Sequence, residues 1–513
     1  MKKFKYIFLL IGLSIIGCSD LEENPVSQLS PEGFFSSTND IQTAVNATYG
    51  HMIQEQFWGR KQAISLMLRS DMVDLASTET ERMEMNNLAV LTDNKMIANF
   101  WPRSYQAIAA CNDAIAGAKN VSAADEIKNP VTAQAHFLRA FMYFHLVRQF
   151  GDIPYMETRA TPESNAISKT PAAEVYKKII ADLEFAIEWL PNTTTSRAIP
   201  SKAAAHSYLA LVYLTMAGNT DDAVLLKKAF DEANEVITNK GKYNLDLDTD
   251  FQNLFNANKI DASKEPIFAL DYTGFKGADN GYDQLAPMTG IRGDQKPEGE
   301  GWSVAVPSLL VYTTWDANDY RRAVSLDDGA KIKGSIVPYT NFKLSGHAFA
   351  KNQPYIAKYT RYPGYCDNAN ARATSHNYSM IRYAEVLLIA AEASLTTNNA
   401  LARTYINEVR ARARKGGASK KLGVELTVPA NAAPADLTGT VTLAQVLEER
   451  RLELAFEGIR WYDIARRKLG PQVFSAAGLE GAKAGFTDTD YLLPLPAEEL
   501  TRNPNLAPNN PGY

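Results

Sequence analysis

The chain has 513 residues, with 53 Lys and Arg against 58 Asp and Glu, a formal net charge of −5, and three cysteines. No basic run forms a patch able to neutralise phosphates, which argues against a nucleic-acid partner. So few cysteines argue against a disulfide scaffold and leave a packed core to hold the fold, and no Gly/Ser-rich or Pro-rich linker splits the body into domains.

Residues 1–17 begin with Lys2, Lys3 and Lys5 and then run apolar from Tyr6 to Gly17, the layout of a secretory signal peptide. The run is shorter than the roughly 20 residues a membrane span needs. It ends in Ile15-Ile16-Gly17-Cys18, which resembles a bacterial lipobox with Cys18 as the lipidated first residue of the mature chain. Acyl chains there would anchor it at about 0.8 kcal/mol per buried methylene. Residues 18–37, with an acidic start at Asp20, Glu22 and Glu23 and with Pro25 and Pro31, read as a tether. Residues 38–513 are then a single body.

Helical periodicity next arrives in pairs resembling degenerate tetratricopeptide units. Residues 38–57 pair with 99–119 across an insertion, 131–150 with 172–190, 201–217 with 223–239, and 378–395 with 400–414. The third is the clearest, because AAAHSYLALVYLTMAG puts small residues where one helix must approach its neighbour. Between 240 and 378 the helical period breaks into short segments such as Pro266 to Tyr272, separated by Gly, Pro, Asn and Asp, and reads as long loops with short strands and helices. The expected fold is mostly α, with four helix pairs packed against this loop-rich region.

The last part, 442–513, carries EERRLELAFEGIRWYDIARR at Glu448 to Arg467. On one continuous helix, Arg450, Glu453 and Glu457 would share a stripe with Val446, Leu447, Leu454 and Ile464, so their charges should be buried and paired. Arg382 and Glu385, in RYAEVLLIAAEA with Glu392, pose the same problem. The expectation is a structural ion-pair network of Arg382, Glu385, Arg450, Glu453 and Glu457, with Arg450 and Arg382 as partners of the two glutamates. A glycosidase pair at Glu453 and Glu457 is disfavoured, because the arginines nearby would keep both ionised when one must donate a proton.

These two motifs and the ending Pro496 to Tyr513 (PAEELTRNPNLAPNNPGY) resemble the SusD/RagB family of Bacteroidetes outer-membrane lipoproteins. The resemblance implies a SusD-like fold and non-catalytic capture of a nutrient, an oligosaccharide first of all. It also implies a location on the outer membrane facing the cell surface, and a SusC-like TonB-dependent transporter as partner. It places the ligand-facing loops largely in 240–378 and also near Trp58, Asp71, Asp74 and Ser77 to Asn87. Two other classes of reading are a lipid-anchored scaffold that uses its repeats to hold proteins, and a surface glycoside hydrolase.

No cofactor is expected: there is no phosphate loop, dinucleotide turn or nucleophile elbow, and the six histidines show no metal-ligand spacing. Trp101, Trp189 and Trp461 read as packing, and Trp315 continues a helical pattern. Trp302, in GEGWSVAVP, is different, because a flat ring on a loop offers its face to a pyranose while Asp and Arg reach hydroxyls. The candidate ligand-binding residues are therefore Trp302 and Tyr282 first, then Asp283, Arg292 and Glu81.

Overall fold

The computed structural model describes residues 34–158, 161, 166–274, 281, 283–292, 301–345, 351–365, 373–475 and 483–513. Cys18, Tyr282 and Cys366 lie outside them.

Helices Thr38–Met52 and Ile97–Ala118 pack together, as do Asp125–Phe150 with Ala172–Trp189, Lys202–Ala217 with Ala223–Thr238, and Tyr383–Ala393 with Asn399–Ala413. Small residues explain the close pairing of the third. Ala203, Ala204, Ala205 and Ala210 are buried on one helix and Ala229 and Ala233 on the other, so no large side chain holds the backbones apart. Both helices are capped: Ser201 Oγ accepts the amide of Ala204 and Asp222 Oδ1 those of Val224 and Leu225. Between the first two helices, the insertion forms two further helices, Lys61–Leu68 and Thr80–Asn87, separated by strand Val73–Leu75.

Among the described residues the strands form five two-stranded antiparallel ladders. Val73–Leu75 pairs with Ala305–Pro307, and Pro266–Leu270 with Tyr378–Arg382. The second ladder corrects the expected start of the fourth helix pair: Tyr378–Arg382 is strand, and the helix begins at Tyr383. β-favouring Tyr378 and Ile381 find a ladder partner there, and Arg382 becomes the residue before the helix.

A second correction concerns Glu448 to Arg467, which is not one helix. Helix Leu443–Glu453 stops, and a new helix runs Arg460–Arg467. Phe456 and Gly458 between them have φ of 65° and 73°, which ends the α-helical ladder. The carbonyls released there are taken from outside: Ala455 O accepts Lys358 Nζ at 2.7 Å, Phe456 O accepts the Tyr359 hydroxyl at 2.9 Å, and Glu457 O accepts the Tyr378 hydroxyl at 2.5 Å. The break thus ties the C-terminal segment to the loop-rich region.

One large hydrophobic core runs through the helix pairs and into the loop-rich region, with a small satellite around Ile291, Ala330, Ile332, Phe342 and Tyr355. Cys111 is buried with its thiol free, 3.4 Å from Thr48 Oγ1. Among the described residues no helix is long and apolar enough to cross a membrane.

Candidate ligand site

Backbone pairing brings four of the five predicted site residues, Asp283, Arg292, Trp302 and Glu81, onto one framework; Tyr282 lies outside the described residues. Asp283 and Thr374 form an isolated antiparallel bridge, and the chain then enters helix Leu285–Thr289. That helix is covered by the returning strand: Trp302 N donates to Pro287 O at 2.6 Å, Ser303 N to Gly290 O at 2.8 Å and Val304 N to Met288 O at 3.1 Å. The amide of Arg292 donates to Ser303 Oγ at 2.7 Å, which holds those two residues side by side. Gly290 and Gly301 make this possible, since a Cβ on Gly301 would fall 2.1 Å from the carbonyl carbon of Gly290.

From Trp302 the strand continues into Ala305–Pro307 beside Val73–Leu75, with Ala76 N donating to Val304 O at 2.8 Å. The neighbouring strand leads directly into helix Thr80–Asn87, which holds Glu81 in its first turn. Trp302, Arg292 and Glu81 are thereby carried on adjoining elements, each half-buried. Trp302 rests against the main core with part of its ring open, a posture that suits a stacking platform as well as a loop anchor.

Asp283 is placed differently. Its side chain is buried, with Oδ1 accepting the Leu285 amide at 3.1 Å and Oδ2 accepting the Thr374 hydroxyl at 3.0 Å. Burial, opposed by those hydrogen bonds, pushes its carboxyl up to about 7. The geometry gives it the work of an anchor that holds two segments together, and it presents no carboxylate to solvent.

Sequence reasoning passed over Tyr365. It is 54 % exposed, the most open aromatic side chain among the described residues. Its amide and carbonyl both bond to Ser375, at 2.8 and 3.0 Å, one residue from the Asp283 partner Thr374. Gly274 closes the same patch, because a Cβ there would meet Tyr365 O at 2.5 Å. The available signal was the Pro363-Gly364 turn immediately before it, which sets an aromatic at a turn exit. Near the insertion, Trp58 is buried against Phe141, His145 and Tyr378, Asp71 is held by Arg460 at 2.8 Å, and Asp74 accepts Lys351 at 2.5 Å. Those three side chains are spent on the body.

The charged motif forms a buried brace. Arg382 donates to Glu265 at 2.7 Å, to Glu453 at 2.6 Å and to both oxygens of Glu457 at 2.9 Å. Glu453 also receives Arg321 at 3.0 Å and the Arg412 guanidinium. Arg450 does not reach Glu453 or Glu457 as expected from a continuous helix. It turns to Asp463 at 2.9 Å and Glu385 at 3.1 Å, because its helix ends before Glu457. Despite burial, the three arginines beside Glu453 hold its carboxyl far below the usual range, and Arg382 and Lys358 lower Glu457. Neither can serve as a proton donor at neutral pH. Glu385 is the exception in direction, raised by burial with Arg450 opposing.

Comparison with known proteins resolves what this scaffold is. A family profile described as "SusD family" matches residues 333–513, and one described as "Starch-binding associating with outer membrane" matches 21–214. SusD-like protein P2 of Formosa agariphila is 50% identical over 100% of both chains. The chain belongs to the SusD/RagB family. Its fold is the SusD-like one: a SusD homolog from Bacteroides thetaiotaomicron superposes with a TM-score of 0.78 at 19% identity, covering 94% of this chain and 98% of that one. Surface glycan-binding protein A of the same organism, solved with laminarihexaose, gives 0.73 at 20% identity, covering 93% and 100%.

Proposed function

We propose that this chain captures an oligosaccharide without transforming it, at the framework that joins Tyr365, Asp283, Arg292 and Trp302, and passes it to a SusC-like TonB-dependent transporter in the outer membrane. The observation that carries the reading is a pair of open or half-open aromatics, Tyr365 and Trp302, held on glycine-dependent close contacts of a rigid frame. Rings fixed in this way stack on pyranose faces with little ordering cost. The laminarihexaose bound by a protein of the same fold supports a glycan as the ligand class. A membrane location is supported by the matched profile's description and by the lipobox-like Ile15 to Cys18, with Cys18 as the anchor.

Electrophoresis through gels containing single polysaccharides tests capture. The wild-type chain should be retarded by at least one glycan, and Trp302→Ala should lose most of that retardation while keeping its thermal midpoint. Loss of a stacked aromatic is worth roughly 1–3 kcal/mol, about fivefold to a hundredfold in affinity. No retardation by any glycan would favour the lipid-anchored scaffold instead. Delivery is tested separately, by asking whether a large TonB-dependent barrel copurifies from native membranes.

A further inference from the structure

A cavity of about 520 Å³ opens where the C-terminal segment crosses the helix pairs. None of its lining residues belongs to the loop framework described above. Three tyrosines, Tyr176, Tyr462 and Tyr491, stand in its walls, and its charged groups are Arg148, Arg466, Lys468 and Asp488. Arg466 is already neutralised by Glu392 and Asp463.

Arg148 is not. Its guanidinium lies between the Phe144 ring at 3.7 Å and the Tyr462 ring at 3.5 Å. Nε donates to Phe144 O and one terminal nitrogen contacts His145 Nδ1, both at 3.1 Å, which leaves Nη1 without a hydrogen bond. Among the described residues no carboxylate lies within ion-pair distance. This departs from the chain's habit, since the buried Arg139, Arg321, Arg382, Arg412, Arg450 and Arg460 each face one.

A second uncompensated cation lies behind the same wall. Arg69 is buried over Trp461 at 3.9 Å and bonds only main-chain carbonyls, of Asp490 at 2.7 Å and of Tyr491; its Nε and Nη1 have no partner. Lys468, exposed, rests on the Tyr491 ring at 3.9 Å, feels the charge of Asp488, and makes no ion pair among the described residues. The one carboxylate on the cavity wall is Asp488, itself exposed. Positive charge of this kind, buried at Arg69 and half-buried at Arg148, favours an anion, and aromatic side chains on the wall favour a flat body.

We propose that this cavity is a second ligand site, for a carboxylate carried on a ring. Arg148 Nη1 takes the carboxylate, Lys468 closes over it from the mouth, and the tyrosines hold the ring. A volume of this size accommodates one such ring with its substituents. Two sources share the chemistry: a uronate residue of an acidic glycan, and an aromatic acid.

Ligand-observed NMR titration with glucuronate and benzoate as probes, and glucose and benzyl alcohol as neutral counterparts, tests the site on the full chain. At least one acid should bind and neither neutral compound should; glucuronate alone identifies the sugar source, benzoate alone the aromatic one. Arg148→Gln should weaken binding about tenfold or more, as loss of a charge-assisted hydrogen bond does. Lys468→Gln, at an exposed position, should weaken it and Ala172→Leu, at a half-buried wall position at the start of its helix, should block it, which keeps the test open if Arg148→Gln fails to fold. Trp302→Ala should leave acid binding unchanged, so failure here and failure of glycan capture are separable. Equal binding of neutral compounds, no binding of either acid, or acid binding unchanged in all three cavity variants would overturn the proposal.

Discussion

Arg382 bridges three carboxylates from two parts of the chain, Glu265 and the pair Glu453 and Glu457, whereas Asp283 is buried with hydroxyl and amide partners but, among the described residues, no cation. The two should respond to change in different ways. Arg382→Met leaves those carboxylates short of charge in the interior, and urea unfolding should show a loss of about 3–5 kcal/mol, the usual cost of breaking one side of a buried ion pair. For Asp283 the folded value is raised, from 3.8 to about 7, so the neutral carboxyl is the stabilising form. Its contribution is complete below pH 3.8 and drains as pH rises, at about 1.4 kcal/mol per unit, until the folded state also ionises near 7. Asp283→Asn removes that slope, so its thermal midpoint should gain on wild type between pH 4 and 7 and then run parallel. Parallel curves across the whole range would show that Asp283 is ionised in the fold.

The helix Leu443–Glu453 illustrates what the sequence could and could not convey about the elements. Its start rests on a local device that the sequence reading passed over: Thr442 and Gln445 form a capping box, with Thr442 Oγ1 accepting the Gln445 amide at 3.3 Å. Thr442→Ala should cost about 1 kcal/mol in chemical denaturation, without altering glycan retardation. Its end was not legible, because Phe456 adopts a left-handed conformation that an aromatic residue has no local reason to choose. The reason is tertiary: Lys358, Tyr359 and Tyr378 take the three carbonyls at the break. The same limit applies to Arg382, read as helical from its apolar neighbours but drawn into a ladder by Pro266–Leu270. The helix pairs were legible because small residues and 3.6-residue spacing are local properties. Tyr365 was not, because its exposure depends on where Gly274 and Ser375 meet it.

For the whole molecule, the brace and the proposed ligand framework meet through residues 358–365 and 373–382, and Arg460 also ties the charged motif to Asp71. Lys358 and Tyr359 bond to the helix break, while Tyr365 and Thr374 belong to the ligand framework. The brace lies within the stretch that matches the family profile, whereas the proposed ligand contacts sit on loops, where a rigid scaffold commonly carries binding residues. Hydrogen exchange of the full chain, with and without the oligosaccharide that retards it most in gels, tests the central claim most directly. Added protection should fall on 283–292, 301–304, 365 and 373–375 and the segments between them, with the four helix pairs unchanged. Protection confined to the helix pairs, with none around Trp302 or Tyr365, would contradict it.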